Sequence, residues 1–202
     1  MTGMRLGKRT RKRGALDKAL LLARGRAARL AAGPPLPGRF AADPRAAERL
    51  RGEPEHAWRV VDCDAAAGGT YEALERARAA VPDAGRPLLL AVDLFVHEAQ
   101  IRRARHAGAD GVVLVARVLD LAGLAALARA ARERGLAVAI EVRSEGEIAA
   151  ACAAHPDALV VASIDRDNGR PETAHDAVSA AATATGLRVV SPPRAGLARH
   201  HP

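Results

Sequence analysis

Residues 88–116, LLLAVDLFVHEAQIRRARHAGADGVVLVA, contain the clearest structural pattern in this chain. The segment begins with the apolar run LLLAV, continues through a stretch with helical spacing that stops at Gly108, and ends with the apolar run GVVLVA. Continuous apolar strands are typical of a parallel sheet that is buried on both faces, and a helix is the usual connection between parallel strands. The segment therefore predicts one strand-helix-strand unit.

The same unit recurs along most of the chain, which indicates the α/β class. The pattern fits two architectures, an open doubly wound sheet and part of an eight-stranded barrel, and it does not separate them. The first strand is followed by DCDAAAGGTY, which lacks the GxGxxG spacing of dinucleotide-binding folds. Strands are predicted at 57–63, 88–92, 111–116, 136–142, 158–163 and 187–191, and helices at 15–31, 43–51, 70–81, 97–108, 118–135, 144–154 and 172–186.

The positive charge of the chain is concentrated at its N-terminal end. The whole chain of 202 residues has a formal net charge of +8, while residues 1–30 contain ten Lys or Arg and a single Asp. All three lysines, Lys8, Lys12 and Lys18, lie in this region. We therefore predict two parts, a basic N-terminal arm with its helix at 1–30 and one folded domain at 31–202.

The arm is a candidate polyanion-binding segment, because Lys8, Arg9, Arg11, Lys12 and Arg13 place five charges within six residues. It contains no aromatic side chain for base stacking, so any contact with nucleic acid is expected to be non-specific. The alternative interpretation is a solvated tail.

The acidic residues at the predicted strand ends are the candidates for a metal site. Such a group of carboxylates could hold a divalent cation, but strand ends and helix starts also favour aspartate for structural reasons. We expect no metal and no cofactor. The residues are Asp62, Asp64, Asp93, Glu141 and Asp165.

Cysteine content and hydropathy predict a cytoplasmic protein. Cys63 and Cys152 are too few for a disulfide framework and have no CxxC spacing. The apolar patch ALLLA is too short for a signal peptide or a membrane span.

Two stretches, LFVHEAQIRRARHAGADGVVLVARVLDLAGLAAL and GLAVAIEVRSEGEI, resemble the indole-3-glycerol phosphate synthase family. The similarity is concentrated at 87–167 and extends more weakly to DPRAAERL and RVVSPPRAGL on either side. The resemblance implies a (β/α)8-barrel lyase of tryptophan biosynthesis. The six predicted strands correspond to the second through seventh of the eight, so the barrel is expected to be incomplete.

The resemblance also implies roles for individual residues. Glu141 is similar to the family's catalytic glutamate, and Asp93 to the aspartate that follows its acid lysine. The residue before Asp93 is Val92, and the family's second lysine, on the first strand, also has no counterpart. Ser191 and Arg166 are the matching candidates for substrate binding.

These residues predict a family member that is catalytically degenerate or repurposed, because valine cannot donate a proton. The alternatives are an active indole-3-glycerol phosphate synthase and a nucleic-acid-binding protein that acts through its basic arm. The expected partners are a phosphorylated small molecule, a second copy of the chain at the open barrel edges, and nucleic acid at the arm. An open parallel edge leaves backbone groups unpaired, so we expect either residues 15–31 or the second copy to cover it.

Overall fold

The fold is described by a computed structural model that covers residues 14–34, 36, 40–41, 43–54, 57–81, 85–165 and 170–190. From the first strand onward, strands and helices alternate as the sequence predicts. The elements in chain order are α1 (Ala15–Ala32), α2 (Ala46–Gly52), β1 (Trp58–Asp62), α3 (Tyr71–Ala79), β2 (Leu88–Val92), α4 (Glu98–His106), β3 (Gly111–Val115), α5 (Leu121–Arg132), β4 (Ala137–Val142), α6 (Glu145–Ala153), β5 (Ala158–Val161), α7 (His175–Thr183) and β6 (Val189–Val190).

The six strands form one parallel sheet in the order β1-β2-β3-β4-β5-β6. A doubly wound sheet reverses its strand order at its ligand-binding crevice, whereas strands of a (β/α) barrel follow one another around the barrel. The consecutive order therefore selects the barrel over the doubly wound sheet, a choice that the sequence pattern leaves open. The architecture is an incomplete (β/α) barrel, and the prediction of six strands is confirmed.

Local sequence determines where several helices begin and end. The side chains of Thr70 and Asp120 accept hydrogen bonds from backbone N–H groups in the first turns of α3 and α5. Gly108 follows α4 with a φ of 96°, and a Cβ at this position would clash with the Arg78 side chain. Glycine is therefore required here both for the backbone conformation and for space.

Two apolar layers cover the two faces of the sheet, because side chains alternate along each strand. On the outer face, Leu89 and Leu114 belong to the same cluster as buried residues of α3 through α7. On the inner face, Leu90 and Val113 pack in a second cluster that contains Leu50 of α2. The sequence predicts α2 but not its position. In this incomplete barrel, α2 helps to fill the interior that strand side chains fill in a complete barrel.

Helix α1 lies across the C-terminal ends of the central strands. Its Leu16 and Ala23 pack against Leu94, which follows β2, and Val115, which ends β3. The prediction that residues 15–31 cover a strand edge is therefore wrong, because the apolar stripe of the helix contacts apolar residues at strand ends. That a second copy of the chain covers an open barrel edge stays a prediction. No helix in the described part of the chain is long and apolar enough to span a bilayer.

Candidate functional site

A small cleft opens at the C-terminal ends of β3 and β4, the end where (β/α) barrels place their active sites. Its volume is about 10 Å³, which is room for about one water molecule. Helix α1 contributes one of its walls. The lining residues are Leu16, Val115, Arg117, Glu141, Val142, Arg143, Glu147 and Ile164.

Glu141 is the carboxylate that β4 places in this cleft. In the sheet it is paired with Val115 on one side and Val160 on the other. Its side chain is half-buried, unlike the fully buried apolar residues earlier in the strand. The inward positions of β2, β3 and β4 are otherwise filled by apolar residues and Gly111. Glu141 is thus an ionisable residue among apolar ones at this end of β4, and its catalytic role stays a prediction.

Two arginines lie beside Glu141 on the loops that follow the strands. Arg143 Nη1 contacts Asp165 Oδ1 at 3.0 Å and Glu172 Oε1 at 3.2 Å. Arg117 Nη1, in a 3-10 turn after β3, lies 3.8 Å from the same Asp165 oxygen. The loops after β3, β4 and β5 are therefore joined by ion pairs at the rim of the cleft.

Val92 occupies the end of β2, where the resemblance places an acid lysine. Its side chain is 9% exposed and belongs to the inner apolar cluster with Leu90, Val113 and Leu50. Strand pairing aligns Val92 with Val113 of the neighbouring β3. On the other side, strand pairing aligns Val92 with Asp62 of β1. The position therefore has apolar neighbours toward β3 and α2 and an acidic neighbour toward β1.

Asp93 is buried beneath α1 and is not among the residues that line the cleft. Its Oδ2 accepts hydrogen bonds from Tyr71 Oη at 2.7 Å, from Gln100 Nε2 at 3.2 Å and from Arg26 Nη1 at 3.3 Å. Burial raises the pKa of the Asp93 carboxyl, while the Tyr71 hydrogen bond and the Arg26 charge act in the opposite direction. The carboxyl thus forms the centre of a polar network.

Sequence reasoning missed the other members of this network. The Arg26 guanidinium also donates to the Cys63 carbonyl at 2.6 Å and lies 4.6 Å from the centre of the Tyr71 ring. Gln100 also donates to the Leu94 carbonyl at 2.9 Å. A usable signal is present in the sequence, because Gln100 lies in the motif that carries the family resemblance. The network attaches α1 to the strand ends.

The remaining acidic candidates have structural partners. Asp64 accepts from the backbone N–H of Ala66, and Asp62 accepts from that of Asp64. In the part of the chain that the structure describes, no three His, Cys, Asp or Glu residues are grouped as they would be around a metal ion. Burial raises the pKa of the Cys63 thiol, which disfavours the thiolate form.

Several predicted residues cannot be placed. Ser191 and Arg166, proposed for substrate binding, lie outside the described residues, as do the polyanion candidates Lys8, Arg9, Arg11, Lys12 and Arg13.

The sequence of this chain is similar to one known family. The family model for indole-3-glycerol phosphate synthase matches residues 63–168, just over half of the chain. The chain belongs to the indole-3-glycerol phosphate synthase family. The matched residues include Val92, Asp93, Glu141 and Arg166, while Ser191 and the basic arm lie outside them.

Curated indole-3-glycerol phosphate synthases show the same relationship at low identity. Indole-3-glycerol phosphate synthase 2 of Streptomyces coelicolor is 36% identical over 132 residues, which is 63% of this chain and 49% of the relative. The Opitutus terrae enzyme is 37% identical over 81 residues, or 40% of this chain and 30% of the relative. The Chromobacterium violaceum enzyme is 44% identical over 59 residues, which is 29% of this chain and 22% of the relative. The chain thus matches about half, or less, of the length of these indole-3-glycerol phosphate synthases.

Proposed function

We propose that this chain is a repurposed family member that binds a phosphorylated ligand at the C-terminal face of the barrel without catalysing the family's ring closure. The observation that carries this proposal is Val92, an apolar residue of the inner apolar cluster at the position that the resemblance gives to the acid lysine. The family reaction requires a cation that gives a proton to the sugar oxygen and a carboxylate that manages the returning proton. Glu141 can supply the second function, and valine cannot supply the first.

The other cations of the chain do not replace this acid. Its three lysines lie at or before residue 18, and Lys18 is exposed on α1. Arg117 and Arg143 lie at the cleft, but a guanidinium binds anions through its fixed N–H donors and is a poor proton donor. These two arginines support the binding of an anionic ligand rather than acid catalysis.

Helix α1 limits access to the proposed ligand site. The cleft beside Glu141 has a volume of about 10 Å³, far below the roughly 300 Å³ and more of typical ligand pockets. Leu16 of α1 forms part of the wall. Binding of a phosphorylated sugar derivative therefore requires α1 to move away from the strand ends.

The test measures turnover and binding with the same protein. With a carboxyphenylamino-deoxyribulose phosphate as substrate, we expect no detectable indole-3-glycerol phosphate by product fluorescence, since general acid catalysis contributes about 10²- to 10⁴-fold to rate. Titration calorimetry with the same compound is expected to show binding that Arg143→Gln weakens. Arg129→Gln, which changes an exposed arginine on α5, is the matched control.

Family catalysis is the second candidate, favoured by the position of Glu141 in the cleft. Turnover that disappears in Glu141→Gln would establish it and refute our proposal. Absence of both turnover and binding would refute the ligand-binding part. We expect Val92→Lys alone to leave the protein inactive, because an apolar site depresses a lysine pKa and the family's second lysine is also missing.

A further inference from the structure

The outward face of α1 combines exposed leucines with exposed cations. Leu21 and Leu22 are 57% and 56% exposed, on the side of the helix away from the buried Leu16 and Ala23. Lys18, Arg24 and Arg29 are exposed on the same helix. We call Lys18, Leu21, Leu22 and Arg29 the basic face of α1, because helical spacing places these four on the side opposite the buried residues.

The charge around this face has one dominant sign. Asp17 is the single acidic residue among residues 1–34, and the sequence that precedes α1 adds six further Lys or Arg. The rest of the chain is close to neutral, so the field is concentrated at this end of the molecule. The buried stripe of α1 already packs on the barrel, which leaves the basic face without a partner from the described residues.

We propose that the basic face of α1 docks on an anionic phospholipid surface. Two adjacent exposed leucines bordered by cations match the interface of a bilayer, where the apolar groups enter the acyl boundary and the cations contact the head groups. This inference goes beyond the proposed function and does not depend on ligand binding.

The same residues argue against other occupants. A second copy of the chain would bring two faces of the same positive sign together, which disfavours self-association through α1. A nucleic acid would match the charge, but it offers no apolar phase for Leu21 and Leu22. Residues 1–39 also contain no aromatic side chain on which a base could stack.

The experiment measures co-sedimentation of the full chain with vesicles of phosphatidylcholine alone and with about one third phosphatidylserine. We expect binding to the anionic vesicles that decreases with salt, and much weaker binding to the neutral ones. The double variant Leu21→Ser/Leu22→Ser should lower the partition coefficient on anionic vesicles about tenfold. The double variant should be retained on RNA as strongly as the unsubstituted chain.

The matched control is Leu121→Ser, because Leu121 is 54% exposed on α5, outside the basic face. Circular dichroism should show the same helix content in all variants, since each substituted leucine is exposed. Equal loss of vesicle binding in the Leu121 variant, or no loss in the double variant, would overturn the proposal. Binding to RNA without binding to vesicles would assign the face to nucleic acid instead.

Discussion

At the scale of single residues, the buried charges mostly hold the loops and strands together. Asp110 ends the AGAD motif and is 1% exposed. It forms a bidentate ion pair with buried Arg86, in which Arg86 Nη2 lies 2.7 Å from Asp110 Oδ1. Asp110 Oδ2 also accepts a hydrogen bond from the backbone N–H of Leu89 at 3.0 Å. One carboxylate thus connects the start of β2 to the segment that leads into β3.

Replacement of Asp110 by Asn is expected to destabilise the fold strongly. The change leaves the Arg86 guanidinium buried without its counter-charge, and loss of one partner of a buried pair costs about 3–5 kcal/mol. Chemical denaturation should show this loss in the free energy of unfolding. Glu133→Gln, which removes a charge from an exposed pair with Arg129, should leave the denaturation midpoint unchanged. Similar denaturation midpoints for both variants would show that the Arg86–Asp110 pair contributes little to the free energy of unfolding.

At the scale of elements, α1 is held by few contacts. Only Leu16, Ala23 and Ala27 are buried among its 18 residues, so Arg26 and its bonds to Asp93 and Cys63 carry much of the attachment. Elements with few buried apolar contacts open at low free-energy cost. Such a helix can cover the cleft and still move when a ligand binds.

Loss of the Arg26 contacts is expected to loosen α1 selectively. Hydrogen bonds to charged groups contribute about 1.5–3 kcal/mol, so Arg26→Ala should accelerate amide hydrogen exchange in α1 at least about tenfold. Arg24→Ala is the control, because it removes an exposed arginine from the same helix. Exchange in β2 through β4 should be unaffected in both variants. Equal exchange of α1 in the two variants would mean that apolar packing alone holds the helix.

At the scale of the whole molecule, the incomplete barrel leaves two terminal strands. Within the described residues, β1 and β6 each pair with a single neighbouring strand. Arg59 and Val60 of β1 are exposed, Val60 by 43%. Unpaired parallel edges favour pairing with another chain.

Self-association through this edge is therefore the expected outcome. Sedimentation velocity over a range of concentrations should show the mass rising from 21.0 kDa toward twice that value. Val60→Lys should weaken the dimer, since a charge on an edge strand opposes pairing. Leu121→Lys introduces the same charge at another exposed apolar residue and should leave the dimer intact. A monomer at every concentration would contradict the prediction.

Local sequence pattern was sufficient to predict the strands and helices of this protein and to indicate its family. A continuous apolar run such as LLLAV at 88–92 is typical of a parallel strand that is buried on both faces, and Gly108 marks the end of the helix that follows it. The motif around Asp93 and Asp110 was sufficient to indicate the family, and the lysine missing at Val92 could be read directly. These features depend on local pattern, which a sequence contains in full.

The strand order, the interior position of α2 and the position of α1 above the strand ends became known from the folded structure alone. Strand order decided between a barrel and a doubly wound sheet, which share one local pattern. The buried contacts of Asp93 with Arg26 and Tyr71 join residues 67 and 22 positions apart. Such contacts depend on where a curved sheet brings distant segments together, because a side chain's partners are set by packing in three dimensions and not by its neighbours in sequence.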